Sequence, residues 1–350
     1  MNRKDSVHNN LNHEEVSVLK KLMTLIIAVG LVFCVQTQKT EAAESLIITT
    51  ATTGGTYYPV GVALGTLISI KLAKQHGITA TAINSAGSGE NVQMLKNKEA
   101  QMGILQSLFG LNAYEGKGPY EGKPVKSFRS VSMLWENVEH FSMLKKYAKT
   151  GTIMDLQGFD KKFSIGKRGS GTEGSGRTIL AALGIDPESL RLEYLGYNPS
   201  AQAMMDGRVA AMNTPAGPPV AAVTQLFAQL GSNKVDVLDI TDEQLATIQS
   251  EYPIWNRFVV KAGTYPDQEE DIQTISQPNF LAVTPDVSEE TVYLITKTIF
   301  ENLPFLHNIH KATTAMSLER AVSGLPAPLH PGALKYYREQ GLEIPSQLIE

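Results

Sequence analysis

The sequence is poor in cysteine and has no concentrated positive charge. Cys34 is the single cysteine among 350 residues, and no basic run is longer than two residues. The formal net charge is −4. Binding to nucleic-acid phosphates requires a positive surface, which this chain does not supply. We therefore expect no nucleic-acid partner.

Several sequence signatures of catalysis are also absent. The chain contains no GxxxxGK[ST] phosphate loop, no HExxH zinc motif and no GxSxG nucleophile elbow. The segment 169–174 does match GxGxxG, which in dinucleotide-binding proteins follows the first strand of a βαβ unit. Here it lies far along the chain, after residues 135–149, where we place a crossing between two domains. We expect no cofactor and no enzymatic activity.

The N-terminal segment has the features of an export signal. Lys20 and Lys21 precede a charge-free apolar stretch over 22–35, and small residues follow at 42–43. The apolar stretch is shorter than the ~20 residues that span a bilayer. We predict that residues 1–43 form a signal peptide, cleaved after Ala42 or Ala43, and that the mature protein is periplasmic.

Cys34 offers an alternative, attachment of a lipid. The residues before it, Val32 and Phe33, are bulkier than the small residues that such sites prefer. A cleaved soluble form is therefore favoured over a lipoprotein. Cleavage would remove the only thiol, and with it any disulfide, cysteine-metal site or cysteine nucleophile.

Strand-like and helix-like segments alternate along the rest of the chain. This alternation predicts an α/β protein with mostly parallel sheets flanked by helices. Two strand-like runs abut near residues 135–149 without a helix between them, which indicates a crossing between domains. We predict one lobe over residues 44–136 and 258–350 and a second over 137–257. Strands are predicted at 46–50, 78–83, 102–105, 163–166, 209–213 and 235–238.

Three junctions between a strand and a helix are rich in glycine and hydroxyl residues. They lie at 52–58, 84–91 and 169–173. Loops of this kind present backbone N–H groups at the positive end of a helix, where an anion binds. Each loop alone is also explained as a helix cap, whereas three together favour an anion site at the carboxyl ends of the strands.

These motifs resemble the TAXI solute-binding proteins of TRAP transporters. The resemblance covers residues 46–345 and departs from the family pattern at Lys167-Arg168 and at Ala210-Ala211. It rests on residues 53–61 (TGGTYYPVG), 85–92 (SAGSGENV), 169–174 (GSGTEG), 262–266 (AGTYP) and 329–333 (LHPGA). It implies a two-lobed periplasmic binding protein of type II that closes over a small carboxylate, and members are associated with glutamate, glutamine or 2-oxoglutarate.

The resemblance and the loops together define the expected site and partners. We expect a carboxylate in the cleft between the lobes, delivery to ion-coupled TRAP permease subunits, and a monomeric protein. An exported enzyme of the same fold and a ligand sensor for a membrane receptor are the alternatives. The predicted ligand-binding residues are Thr53, Gly55, Thr56, Tyr57, Tyr58, Ser85, Ser88, Asn91, Gln106, Ser170, Gly171, Thr172, Pro215, Ala216 and Gly217.

Overall fold

The computed structural model describes residues 43–349. Cys34 and almost all of the predicted signal peptide lie outside the described residues. Within 43–349, no helix combines the length and the apolar character needed to cross a bilayer.

Residues 43–349 contain eleven β-strands and ten α-helices. The strands are β1 (Glu44–Thr49), β2 (Ile78–Ile83), β3 (Met102–Gln106), β4 (Arg129–Val138), β5 (Phe141–Leu144), β6 (Lys162–Ser164), β7 (Arg191–Glu193), β8 (Ala211–Asn213), β9 (Val235–Val237), β10 (Asn256–Val260) and β11 (Ile272–Val283). The helices are α1 (Tyr57–His76), α2 (Ser88–Lys96), α3 (Ser107–Glu115), α4 (Gly171–Ala182), α5 (Tyr197–Met205), α6 (Ala221–Leu230), α7 (Asp242–Glu251), α8 (Glu289–Glu301), α9 (Leu303–His307) and α10 (Pro331–Glu339).

The first sheet has the strand order β10-β11-β3-β1-β2, with β4 also paired to β11. β1 is parallel to both β2 and β3. Helix α1 connects β1 to β2 and buries Val60, Leu64 and Ile68 in the core. It ends at Gly77, whose left-handed conformation, at φ 67°, lets its N–H bond to the carbonyl of Ala73.

The second sheet has the strand order β7-β6-β8-β5-β9. β6 is parallel to β7 and β8, whereas β5 is antiparallel to β8 and β9. The chain passes from the first sheet to the second between β4 and β5. Only two residues, Glu139 and His140, connect these strands. This passage falls in the segment where two strand-like runs abut in the sequence.

The α/β class with two helix-flanked sheets is confirmed, but the pairing is more mixed than predicted. β11 runs antiparallel to β3, β4 and β10. The strands that carry the βα connections are parallel, as the alternating pattern requires. β4 and β11 are long strands that pair antiparallel with each other. No strand was predicted over 272–283, which the structure assigns to β11.

Candidate functional site

A cavity of about 30 Å³ lies where loops from the two sheets meet. Its lining residues are Ala51, Thr52, Gly55, Thr56, Tyr57, Ala86, Gly87, Ser88, Gln106, Asn137, Gly171, Thr172, Tyr197, Pro215 and Ala216. Of the predicted site residues, Gly55, Thr56, Tyr57, Ser88, Gln106, Gly171, Thr172, Pro215 and Ala216 are among them. The structure thus brings together residues from all three glycine-rich junctions.

Five helices begin at this cavity. Each follows a strand, and the lining residues Tyr57, Ser88, Gly171 and Tyr197 are the first residues of α1, α2, α4 and α5, while Gln106 immediately precedes α3. The N–H groups of a first helical turn have no partner inside the helix and carry a partial positive charge. None of the described lining residues bears a charged side chain. The arrangement therefore favours an anionic group through helix ends and neutral donors.

Glycines let the starts of α2 and α4 approach closely. A Cβ on Gly89 would lie 2.2 Å from the carbonyl oxygen of Gly169. A Cβ on Gly171 would lie 2.8 Å from Ser88 Oγ and from the side chain of Gln106. These contacts join elements of the first sheet to elements of the second. Larger residues at either position would hold the two helix starts apart.

Side-chain hydrogen bonds hold the lining residues Tyr197, Thr172 and Thr56 in place. The Tyr197 hydroxyl donates to the carbonyl of Pro215 at 2.5 Å, so the Thr172 hydroxyl, 2.9 Å away, donates to Tyr197. The Thr56 hydroxyl donates to the carbonyl of Gly217 at 2.8 Å. Burial raises the pKa of Tyr197 well above its usual value, so its hydroxyl stays protonated at neutral pH.

Ser85 and Asn91 are predicted site residues that do not line the cavity. Asn91 Nδ2 donates to the carbonyls of Thr50 and Ile104, and Asn91 Oδ1 accepts from the hydroxyls of Thr49 and Ser85. Every hydrogen-bonding atom of the Asn91 side chain is thus engaged in holding strand ends to α2. This network positions the second glycine-rich loop.

Four other predicted residues also lie outside the lining. Ser170 caps α4, its hydroxyl accepting from the N–H of Glu173 at 3.0 Å. Thr53 is exposed, and Tyr58 is half-buried. Gly217 contributes the carbonyl that accepts from Thr56. For Ser170, the structure supplies the helix-cap contact that was the alternative to ligand binding.

Six lining residues were missed from the sequence. Thr52, Ala86 and Gly87 belong to loops that the sequence did single out, and Ala51 precedes the first of them. Tyr197 starts a helix directly after Gly196, a strand-to-helix junction whose short strand β7 was not predicted. Asn137 lies inside β4, where no local motif marks it.

Two adjacent ionisable residues are fully buried at the passage between the sheets. Burial raises the pKa of Glu139 to about 7, although Asn213 Nδ2 donates to its Oε2 at 3.0 Å. Burial lowers the pKa of His140 to about 4. The His140 ring contacts the carbonyl of Val138 at 2.9 Å and the Tyr265 hydroxyl at 2.7 Å.

Arg168, the charged departure from the family motif, does not line the cavity. Its guanidinium stacks on the ring of Tyr194, 3.6 Å from the ring centroid. The described residues also contain no group of three or more metal-ligating side chains.

The fold of two helix-flanked sheets is similar to that of solved periplasmic binding proteins. MatC from Rhodopseudomonas palustris, solved with bound malate, is similar at 13% identity, with 85% of this chain and 98% of that chain covered and a TM-score of 0.52. The periplasmic binding protein BugD is similar at 14% identity, with 86% and 94% covered and a TM-score of 0.51. A model of the NMT1-like family matches residues 48–341, and the chain belongs to that family.

Proposed function

We propose that the protein is an extracytoplasmic solute-binding protein that captures a small carboxylate and releases it unchanged to a membrane permease. The observation that carries this proposal is the convergence of five helix starts on one buried cavity without charged lining residues. Backbone N–H groups and hydroxyls at helix starts hold a carboxylate by directed hydrogen bonds. The malate found in MatC, a protein of similar fold, agrees with this ligand class.

The absence of a cation from the described lining suits a carrier. A buried arginine paired with a carboxylate forms strong charge-assisted bonds that oppose release. Helix ends and hydroxyls bind the same group without an opposite full charge. We propose that the cargo is a carboxylate of the size of glutamate, glutamine or 2-oxoglutarate.

The size of the cavity implies that the two sheets separate when ligand enters. About 30 Å³ accommodates on the order of two water molecules. A five-carbon carboxylate is larger than that, so the cavity must widen to hold it. We propose that the close contact between the starts of α2 and α4 is kept in the complex and that the other loops around the cavity move apart. We propose residues 44–136 with 258–350, and 137–257, as the two lobes that move.

The TAXI-like motifs supply the transport partner in this proposal. We propose an ion-coupled TRAP permease, a monomeric binding protein and a periplasmic location after signal cleavage. Motif 53–61 covers the end of the loop before α1 and the first five residues of that helix, and motif 85–92 spans the loop and first turn of α2. Both loops contribute residues to the cavity lining.

Calorimetric titration with a panel of small carboxylates, sugars and dinucleotides tests the proposal. We expect saturable binding of at least one small carboxylate, which mass spectrometry recovers unchanged after incubation. Binding only to sugars or dinucleotides would refute the carboxylate site. Conversion of the bound carboxylate to another compound would identify an enzyme in place of a carrier.

A further inference from the structure

A second cavity, of about 260 Å³, lies beside Trp135 on β4. Its lining comes from β4, from β10 and the loop after it, and from the segments 218–219 and 311–320. This Trp135 cavity shares no lining residue with the cavity at the helix starts. Its volume is close to the lower end of the ~300 to 1,000 Å³ found for small-molecule sites. The two cavities are therefore separate candidates for ligands.

Most of the wall of the Trp135 cavity is apolar. Rings and aliphatic side chains form it, among them those of Trp135, Pro218, Pro219, Phe258, Val259 and Ala312. A ligand with an apolar body gains about 25 cal/mol for each Å² of apolar surface that such a wall removes from water. The wall thus favours an apolar body over a sugar or a plain dicarboxylate.

The indole of Trp135 adds a hydrogen-bond donor to this wall. The Trp135 side chain is fully buried, and its Nε1–H has no partner among residues 43–349. A Cβ built on Gly217 would lie 2.9 Å from Trp135 Nε1 and 2.4 Å from Ala312 Cβ, so the indole nitrogen lies close to another lining residue. Buried tryptophan N–H groups usually have a partner, and an unpaired one costs free energy. A ligand atom that accepts from Nε1 would remove that cost.

The charged side chains at the Trp135 cavity are mainly cationic. Lys261, Lys311 and Arg320 belong to the lining, together with a single carboxylate, Glu136. Arg320 pairs with Glu136, and Lys261 pairs with Asp271 at 2.8 Å. Within the described part of the chain Lys311 forms no ion pair, and its side chain is exposed. Lys311 is therefore available to an anion that enters the cavity.

We propose that the Trp135 cavity is a second ligand site, which takes a small anion with an apolar body. The body would pack against Pro219 and Phe258, and an oxygen of the anionic group would accept from Trp135 Nε1–H. Lys311 would supply the opposite charge, and it directly precedes Ala312, so donor and charge belong to the same part of the wall. This second site does not depend on the carboxylate proposed for the first cavity.

Nuclear magnetic resonance of the tryptophan indoles tests the proposal at the atom concerned. Trp135 and Trp255 are the only tryptophans in the chain, so Trp255→Phe assigns both Nε1–H resonances. Naphthalene sulfonate is the probe, because it joins an aromatic body to an anionic group. We expect it to shift the Trp135 resonance downfield and saturably while the Trp255 resonance stays in place. An unmoved Trp135 resonance would overturn the proposal.

Two further probes separate the anionic group from the apolar body. Methane sulfonate carries the anionic group alone, and naphthalene methanol carries the aromatic body without a charge. We expect each to bind at least about tenfold more weakly than naphthalene sulfonate, because each lacks one of the two kinds of contact. Binding of either probe as tight as that of naphthalene sulfonate would contradict the proposed ligand class.

Charge reversal locates the site. Lys311→Glu replaces attraction by repulsion at the Trp135 cavity, and we expect about a five- to tenfold rise in the dissociation constant of naphthalene sulfonate. Lys71→Glu is the matched control, because it changes the net charge equally and Lys71 is exposed on α1, none of whose residues line this cavity. We expect the control to bind within about twofold of the parent. Parental affinity in Lys311→Glu, or equal losses in the two variants, would overturn the assignment to this cavity.

Discussion

Closure of the cavity depends on the missing side chain at Gly89. In Gly89→Ala, the new Cβ would lie 2.2 Å from the carbonyl oxygen of Gly169, and real Cβ atoms essentially never approach other atoms more closely than 3.0 Å. The obstacle is backbone, so it has no flexible end that can rotate away. The starts of α2 and α4 must therefore separate by about 0.8 Å.

This separation removes one hydrogen bond from a ligand that bridges the two helix starts. A bond of about 2.9 Å to the second helix would lengthen to about 3.7 Å, beyond hydrogen-bonding distance. Losing a hydrogen bond to a charged group costs about 1.5 to 3 kcal/mol, which is roughly ten- to a hundredfold in the dissociation constant. Gly89 lies within α2, where alanine is a better helix former than glycine, so the helix itself remains intact.

Calorimetric titration of the carboxylate that binds the parent protein measures this effect. Gly176→Ala is the matched control, because Gly176 lies on α4 and the atoms nearest its new Cβ belong to the second sheet and its flanks, Ile165 Cγ1 at 3.1 Å and Asn213 Nδ2 at 3.3 Å. We expect the control to bind the carboxylate as the parent does. Parental affinity in Gly89→Ala would refute the bridging of the two helix starts.

The remaining predictions concern the buried charges and the α4 cap. Glu139 has a pKa of about 7 in the folded protein and 4.5 when unperturbed, so its burial lowers the free energy of unfolding as pH rises from 4.5 to 7. His140 has a pKa of about 4 in the folded protein and 6.5 when unperturbed, so its burial lowers the free energy of unfolding as pH falls below 6.5. Denaturant unfolding of Glu139→Gln should show a gain over the parent that grows by up to about 1.4 kcal/mol per pH unit between pH 4.5 and 7, and a gain independent of pH would contradict the assignment. Ser170→Ala should lower the free energy of unfolding by about 1 kcal/mol with ligand affinity retained, because the hydroxyl caps α4. Thr172→Val should remove the hydrogen bond to the Tyr197 hydroxyl and lower the free energy of unfolding by about 1 kcal/mol, and parental stability in denaturant unfolding would contradict that hydrogen bond.

The loops of the site were predictable because their chemistry is local. Glycine and hydroxyl residues between a strand and a helix indicate a helix start that accepts an anion, and the parallel pairing of β1 with β2 and β3 brings two such starts to one edge. Ser88, Gly171 and Thr172 were identified from the sequence in this way.

The position of Asn137 in the site was not predictable because it depends on the pairing of strands that are distant in the sequence. Asn137 and Gln277 become neighbours only through the register of β4 against β11. Gln277, Pro278 and Asn279 have the composition of a turn, yet they lie inside a twelve-residue strand. Burial in the sheet outweighs their low strand propensity.

A crystal structure of the protein with glutamate bound would test the central claim most directly. The account predicts the ligand in the cavity between the two sheets, with carboxylate oxygens within about 3 Å of first-turn N–H groups of α2 and α4. A ligand bound outside this cavity, or one whose carboxylate contacts neither helix start, would contradict the account.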